Sequence, residues 1–276
     1  MDHMTGILER AERDGTVRRL RTNPEPAIVR PTPTVTPNIT PNIAPVEVPL
    51  IAPEEAAAAA STVRMLPARL DTTVVAGTAP DSQAAERYRA LRTRILHADH
   101  GVGTRVLLVT SPKDGEGKTV TAANLALSLA QGQERRVCLI DANLRSPRVD
   151  RMFGVPRQPG LAEVLAGRNR LDEAIVQIEG SSLSLLTAGS THPRPAELLV
   201  TSAMRRIIDE LRSVFDFIVI DTPAIQPLAD VGSLTPFVDS VLLVARAGMT
   251  SKAAIREAAA NMGTTTVLGI VLNEAA

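Results

Sequence analysis

From residue 104 onward the sequence alternates short apolar runs with helical patterns, and few folds accept that arrangement. The runs are RVLLVTS (105–111), RVCLIDA (136–142), LSLLTAG (183–189), FDFIVIDT (215–222), SVLLVARA (240–247) and TVLGIVLN (266–273). Their apolar residues do not alternate with polar ones, as they would in a strand with one wet face, so both faces are expected to be buried. Helices are expected between them, near 118–131, 160–178, 201–214 and 251–262. Strands separated by helices cross over and run parallel. The expected fold class is therefore α/β: a mostly parallel sheet with helices on both faces. Aromatic residues make up 2% of the chain and tryptophan is absent, so the core is expected to be Val, Leu, Ile and Ala.

The N-terminal part has a different character. Residues 1–21 contain a short helical pattern with Ile7, Leu8 and Ala11 at helical spacing, weakened at Gly15. Residues 22–80 are rich in proline, which recurs every fourth position from Pro33 to Pro53. Proline fixes φ and removes a backbone donor, so neither a helix nor a central strand survives this spacing. The expectation is a disordered, semi-extended linker. At about 3.1 Å per residue its proline-spaced stretch reaches about 60 Å. A helix follows over 81–97, with Ala84, Tyr88, Leu91 and Ile95 as its apolar stripe. The globular domain is thus expected over 81–276.

The first strand runs directly into SPKDGEGKT (111–119), and a helix follows. A phosphate-binding P-loop needs this strand–loop–helix context. Gly115 and Gly117 let successive backbone N–H groups face phosphate oxygens, and the helix N-terminus adds partial positive charge. The candidate nucleotide-binding residues are Asp114, Gly115, Glu116, Gly117, Lys118, Thr119 and Val120. Lys118 is expected to reach the β- and γ-phosphates of ATP and Thr119 to offer its hydroxyl to Mg²⁺. The usual first glycine of the motif is Pro112 here, so the loop is a variant. Two further strands end in acids, Asp141 in LIDANLRSP and Asp221 in VIDTP. Open parallel sheets bind ligands at the carboxyl ends of their strands. Lys118, Thr119, Asp141 and Asp221 are therefore expected to converge on one Mg-nucleotide.

These motifs, in this order, resemble the bacterial tyrosine kinases, cytoplasmic P-loop proteins linked to capsule and exopolysaccharide synthesis and a branch of the MinD/ParA-like ATPases. The resemblance covers about 71–274 and extends to the E-x-x-R-x-x-R helix (Glu86, Arg89, Arg92), GLAEVLAG, HPRPAELL and VLLVARAG. It implies a P-loop NTPase fold and phosphoryl transfer from ATP with Mg²⁺. It implies Lys118, Asp141 and Asp221 as the catalytic set and Thr119, Asp141 and Asp221 as the metal set, with Asp141 accepting or positioning the tyrosine proton and Asp221 holding the metal through water. Oligomerisation through Glu86, Arg89 and Arg92 is implied too, as is activation by a membrane-embedded polysaccharide co-polymerase. Lys113 matches the signature lysine of MinD-like loops.

Two departures stand out. The family's D-x-D-x-R is Asp141-Ala142-Asn143-Leu144-Arg145 here, and an amide cannot supply charge or act as a base. The family's tyrosine-rich tail is replaced by VLNEAA, and Tyr88 is the single tyrosine of the chain. Transfer to a tail is therefore not expected, and any acceptor is Tyr88 or another protein. Both departures keep two alternatives open: a regulatory MinD/ParA-like ATPase switch without kinase activity, and a nucleotide-holding pseudokinase that only assembles.

The 30 basic and 30 acidic residues balance, which argues against a nucleic-acid binder. There is no run of 18 apolar residues and no signal-like start. The expected location is cytoplasmic, or peripheral at the inner membrane through a partner. The four histidines lack metal-ligand spacing, and Cys138 lies among apolar neighbours in a strand, where a buried small hydrophobe is expected.

Overall fold

The computed structural model describes residues 64–97, 106–131, 135–192, 194–226, 231–232 and 234–274. The chain divides into Met1–Pro53 and Glu54–Ala276, and every described residue lies in the second unit. The expected N-terminal helix and the proline-spaced stretch fall outside the described residues.

In chain order the elements are β1 (Arg64–Leu66), α1 (Val75–Thr78), α2 (Gln83–His97), β2 (Val106–Thr110), α3 (Lys118–Ala130), β3 (Val137–Asp141), α4 (Val149–Phe153), α5 (Leu161–Leu165), α6 (Leu171–Ala174), β4 (Ile175–Ile178), β5 (Leu183–Leu186), α7 (Pro195–Leu199), α8 (Ser202–Val214), β6 (Phe217–Asp221), β7 (Ser240–Arg246), α9 (Lys252–Ala260) and β8 (Thr266–Asn273). The strands form one sheet in the order β1-β4-β5-β3-β6-β2-β7-β8. From β5 to β8 all neighbours are parallel. β4 runs antiparallel to β5 and carries β1 parallel on its outer side. The six expected strands are the parallel six.

β2, β3 and β5 are buried at every position, because helices cover both faces. Side chains of a strand alternate between faces. Val106, Leu108, Cys138 and Ile140 face the layer of α5, α6, α8 and α9. Leu107, Val109, Val137 and Leu139 face α1 to α4. α3 is buried along its length except at Val120, packed between the sheet and α1, α2 and α4. α8 buries only the stripe Met204, Ile207, Ile208 and Leu211. Truncating a side chain such as Leu139, 0% exposed, would cost about 2–5 kcal/mol. Among the described residues, no helix is long and apolar enough to cross a membrane.

Three expectations are corrected. Residues 64–80, placed in the linker, form a strand and a helical turn packed on the domain. Arg69 and Asp71 N–H donate to the carbonyls of Phe153 and Met152 at 2.9 and 2.8 Å. Asn124 of α3 binds the Ala76 N–H at 2.8 Å and the Thr73 carbonyl at 2.8 Å. Those bonds outweigh the local composition. The helix expected at 160–178 is two short helices and strand β4. Gly167 turns with φ +68°, and Ile175-Val176-Gln177-Ile178 pairs as a strand, which β-branched residues favour. On α2 the buried positions are Ala85 and Ile95, while Ala84 of the expected stripe is exposed.

Candidate active site

The sheet order makes β2, β3 and β6 neighbours, so their carboxyl ends share one edge. The phosphate loop leaves β2 there. Gly115 and Gly117 have φ of +81° and +91°, a region that strains any side chain. A Cβ at Gly117 would lie 2.0 Å from Asn273 Nδ2, whereas one at Gly115 would meet nothing within 4 Å. Gly117 caps α3 without a side-chain hydrogen bond. The first N–H groups of a thirteen-residue helix therefore remain for an anion. The segment after β6 is zipped to the loop: Ile225 and Gln226 N–H donate to the Ser111 and Pro112 carbonyls at 2.9 and 3.2 Å.

Lys118 is buried, and its Nζ lies 2.9 Å from Asp114 Oδ1 on the exposed rim. The ammonium is thus held back against the loop's own carboxylate. Thr119 follows, also buried.

Asp141 and Asp221 occupy matched register positions on adjacent strands, and both are 0% exposed. Their surroundings differ. Asp141 Oδ1 accepts the Asn143 N–H at 3.0 Å, and Oδ2 accepts those of Arg148 and Val149 at 3.1 Å each. Asp141 therefore caps α4 and shapes the loop after β3. Burial pushes its pKa up to about 6, with the Asp150 charge adding and the three N–H groups opposing. Neither oxygen of Asp221 accepts a hydrogen bond. Burial and the neighbouring Asp141 charge hold its pKa well above the carboxylate range, and the nearby Thr119 hydroxyl, Lys118 and Arg148 offset this only in part. A buried carboxylate with two orphaned oxygens is costly unless a cation joins it. Asp221 beside Thr119, under a loop built for anions, fits Mg²⁺ with a nucleotide.

Asp114, Gly115, Glu116 and Gly117 thus form the turn after β2, Lys118, Thr119 and Val120 open α3, Asp221 lies beside Thr119, and Asp141 lies in register with Asp221 on the next strand. The side chain of Glu116 turns to Lys113 and Thr250. Asn143 is not free: its Oδ1 accepts the Ser146 N–H at 3.2 Å. Lys113 projects an exposed side chain. Glu86, Arg89 and Arg92 lie apart, on α2. Arg89 pairs with Glu86 at 2.6 Å and binds the Pro80 carbonyl at 2.7 Å. Arg92, half-buried, donates to the Ser128 carbonyl of α3 at 2.9 Å. Tyr88 is half-buried, and burial raises the pKa of its hydroxyl. The sequence pattern does not single out Thr250 and Asn273. Their signal is position alone, at the carboxyl ends of β7 and β8.

Residues 104–264 match the AAA domain family. The chain is 36% identical over 207 residues to the tyrosine-protein kinase YwqD of Bacillus subtilis (strain 168), covering 74% of this chain and 87% of that one. It is 32% identical over 197 residues to CapB of Staphylococcus aureus, covering 71% and 86%. It is also 32% identical over 170 residues to the tyrosine-protein kinase etk of Escherichia coli (strain K12), where it spans only 23% of the relative's length. Among solved structures, the VpsO kinase domain is 35% identical with a TM-score of 0.64, covering 72% of this chain and 100% of that one. The kinase domain of Escherichia coli ETK is 27% identical with a TM-score of 0.68, covering 78% and 91%. MinD of Pyrococcus horikoshii OT3, complexed with Mg-ADP, is 26% identical with a TM-score of 0.50, covering 61% and 69%.

Proposed function

The chain belongs to the bacterial tyrosine-protein kinase family, and we propose that it transfers the γ-phosphoryl group of Mg-ATP to a tyrosine hydroxyl of another protein in exopolysaccharide or capsule synthesis or export. One observation supports this reading: the buried Asp221, in register with the buried Asp141 on the neighbouring strand, lies beside Thr119 and in the field of Lys118 where the glycine turn opens into α3.

Each residue has a task that its setting supports. The backbone N–H groups of the loop and of the first turn of α3 cradle phosphate oxygens. Lys118 exchanges the exposed Asp114 carboxylate for β- and γ-phosphate oxygens. Thr119 and, through water, Asp221 would hold Mg²⁺, which would supply positive charge toward the transferring group. Asp141 orients the tyrosine hydroxyl and takes its proton. A carboxylate offers about four lone-pair sites and three are taken by N–H groups, leaving one for that proton. A pKa of about 6 suits a base working near neutrality. Chemistry of this kind needs alignment and charge stabilisation more than covalent help. Tyr88 is half-buried on α2, and the acceptor we propose is a tyrosine of another protein. The assembly is a homo-oligomer contacting through Glu86, Arg89 and Arg92 of α2, recruited to the membrane by a co-polymerase-type activator.

The test is direct. Lys118→Met should raise the dissociation constant for ATP by at least about a hundredfold, since Lys118 carries the charge nearest the phosphates. Binding equal to wild type in that variant overturns the nucleotide site. Phosphotyrosine on a tyrosine-bearing partner, read by mass spectrometry after incubation with Mg-ATP, separates the kinase from its alternative. The engagement of Asn143 with Ser146 favours that alternative, an ATPase switch of the MinD/ParA type. It is indicated if ATP turns over and phosphotyrosine appears only in Asn143→Asp.

A further inference from the structure

We infer that Glu116 and Thr250 form a brace that holds the phosphate loop in its anion-binding shape before nucleotide arrives, making both of them positioning residues for nucleotide binding. This rests on the reading that the loop binds nucleotide. An acidic side chain between the two glycines of such a loop is a liability, because phosphate and carboxylate repel. Here that side chain is 5% exposed, and both its oxygens are committed elsewhere. Oε2 accepts the Lys113 N–H at 3.0 Å, closing the loop on itself. Oε1 accepts the Thr250 hydroxyl proton. The Thr250 oxygen in turn accepts the Arg246 N–H at 2.9 Å. With its acceptor side taken by the backbone, the hydroxyl is oriented to donate to Glu116.

A second anchor acts on the same residue. Asn273 Nδ2 donates to the Glu116 carbonyl at 3.1 Å, and the Asn273 carbonyl accepts the Ala247 N–H at 2.9 Å. Next along the chain, Glu274 adopts φ 54° and pairs with Arg246 at 2.6 Å. The carboxyl ends of β7 and β8 are thus tied to each other and, through Thr250 and Asn273, to the middle of the phosphate loop. Fixing the loop in advance spares binding the entropy of ordering it.

The test uses the full chain, Mg²⁺ and a fluorescent ADP analogue carrying an N-methylanthraniloyl group. Thr250→Val keeps the shape and removes both hydrogen bonds. It should weaken analogue binding about tenfold, the scale of one hydrogen bond to a charged group, while Thr250→Ser should stay within about twofold of wild type. Glu116→Gln, which keeps an acceptor for Thr250 but loses one for Lys113, should fall between them and serves if Thr250→Val does not fold. In steady state the loss in Thr250→Val should enter KM for ATP rather than kcat. Wild-type affinity in Thr250→Val and Glu116→Gln, or a Thr250→Ser as weak as the valine variant, overturns the brace alone, provided Lys118→Met has lost binding. A wild-type chain that binds no nucleotide overturns both the brace and the reading beneath it.

Discussion

At the scale of single residues, the site is defined by a charge conflict. Asp141 and Asp221 stand side by side without solvent; burial raises the cost of ionising each, and the Asp141 charge adds to the cost for Asp221. The folded chain therefore keeps protons that the unfolded chain gives up. For Asp141 the stabilisation is complete below its unfolded pKa of 3.8 and is lost as pH rises through about 6. Asp221 behaves the same way and carries the loss to higher pH. Replacing Asp221 by Asn removes one charge of the pair at little change in volume. Without nucleotide or Mg²⁺, Asp221→Asn should melt higher than wild type at pH 7 and lose less stability between pH 5 and pH 7. A tenfold change in an acid's ionisation constant corresponds to about 1.4 kcal/mol, and each kcal/mol to about 2–4 °C in a domain of this size. Parallel pH profiles of the melting temperature for the two proteins would refute this. Lys118, Asp141 and Asp221 were legible in the sequence because each stands where an apolar strand gives way to a loop or the loop to a helix. The different duties of the two aspartates were not. The three N–H groups that occupy Asp141 come from the loop after β3 and the start of α4, and nothing in LIDANLRSP shows which acid remains bare.

At the scale of elements, α3 is the post on which the domain is assembled. Its Asn124 is fully buried and uses its whole amide: Oδ1 takes the Ala76 N–H, and Nδ2 gives to the Thr73 and Val120 carbonyls at 2.8 and 2.9 Å. That one side chain fixes 73–76 to the helix that begins with Lys118. Asn124→Ala should cost about 2–4 kcal/mol, from unsatisfied polar groups at about 1–3 kcal/mol each. It should also speed amide exchange across residues 71–78 before it affects the central strands. Uniform exchange across the domain would show instead that Asn124 serves only global stability. This element pair also marks how far the sequence could be read. Long apolar strands and α8, with its clean stripe, announce themselves. β1, three residues long, and α1, four, carry no periodic signal. They sit beside a proline-rich stretch that argues for a linker, and they are held by side chains far along the chain. β4 hid for a related reason, since four residues directly after a helical turn continue its apolar spacing.

At the scale of the whole molecule, strand order does what no local segment can. The loop after β2, the end of β3 and the end of β6 are far apart in the chain, yet the order β3-β6-β2 sets them next to one another. The same order brings β7 and β8 alongside, which is why Thr250 and Asn273 reach Glu116 across 134 and 157 positions. Ordinary polar residues in loops have no sequence signature for such a meeting. The arrangement also couples ligand to acidity. A bound cation beside Asp221 reverses the local charge balance, so Mg-nucleotide should stabilise the fold most where the acid pair destabilises it most. At a nucleotide concentration about one hundred times its dissociation constant, mass action adds about 2.7 kcal/mol. As affinity itself rises with deprotonation, the gain in melting temperature on adding Mg-ADP should grow from pH 5 to pH 7.5, flattening the profile seen without ligand. Chelating Mg²⁺ with EDTA should restore the fall. A gain that is constant over this range, or one that EDTA leaves untouched, would mean that the two aspartates do not face the metal.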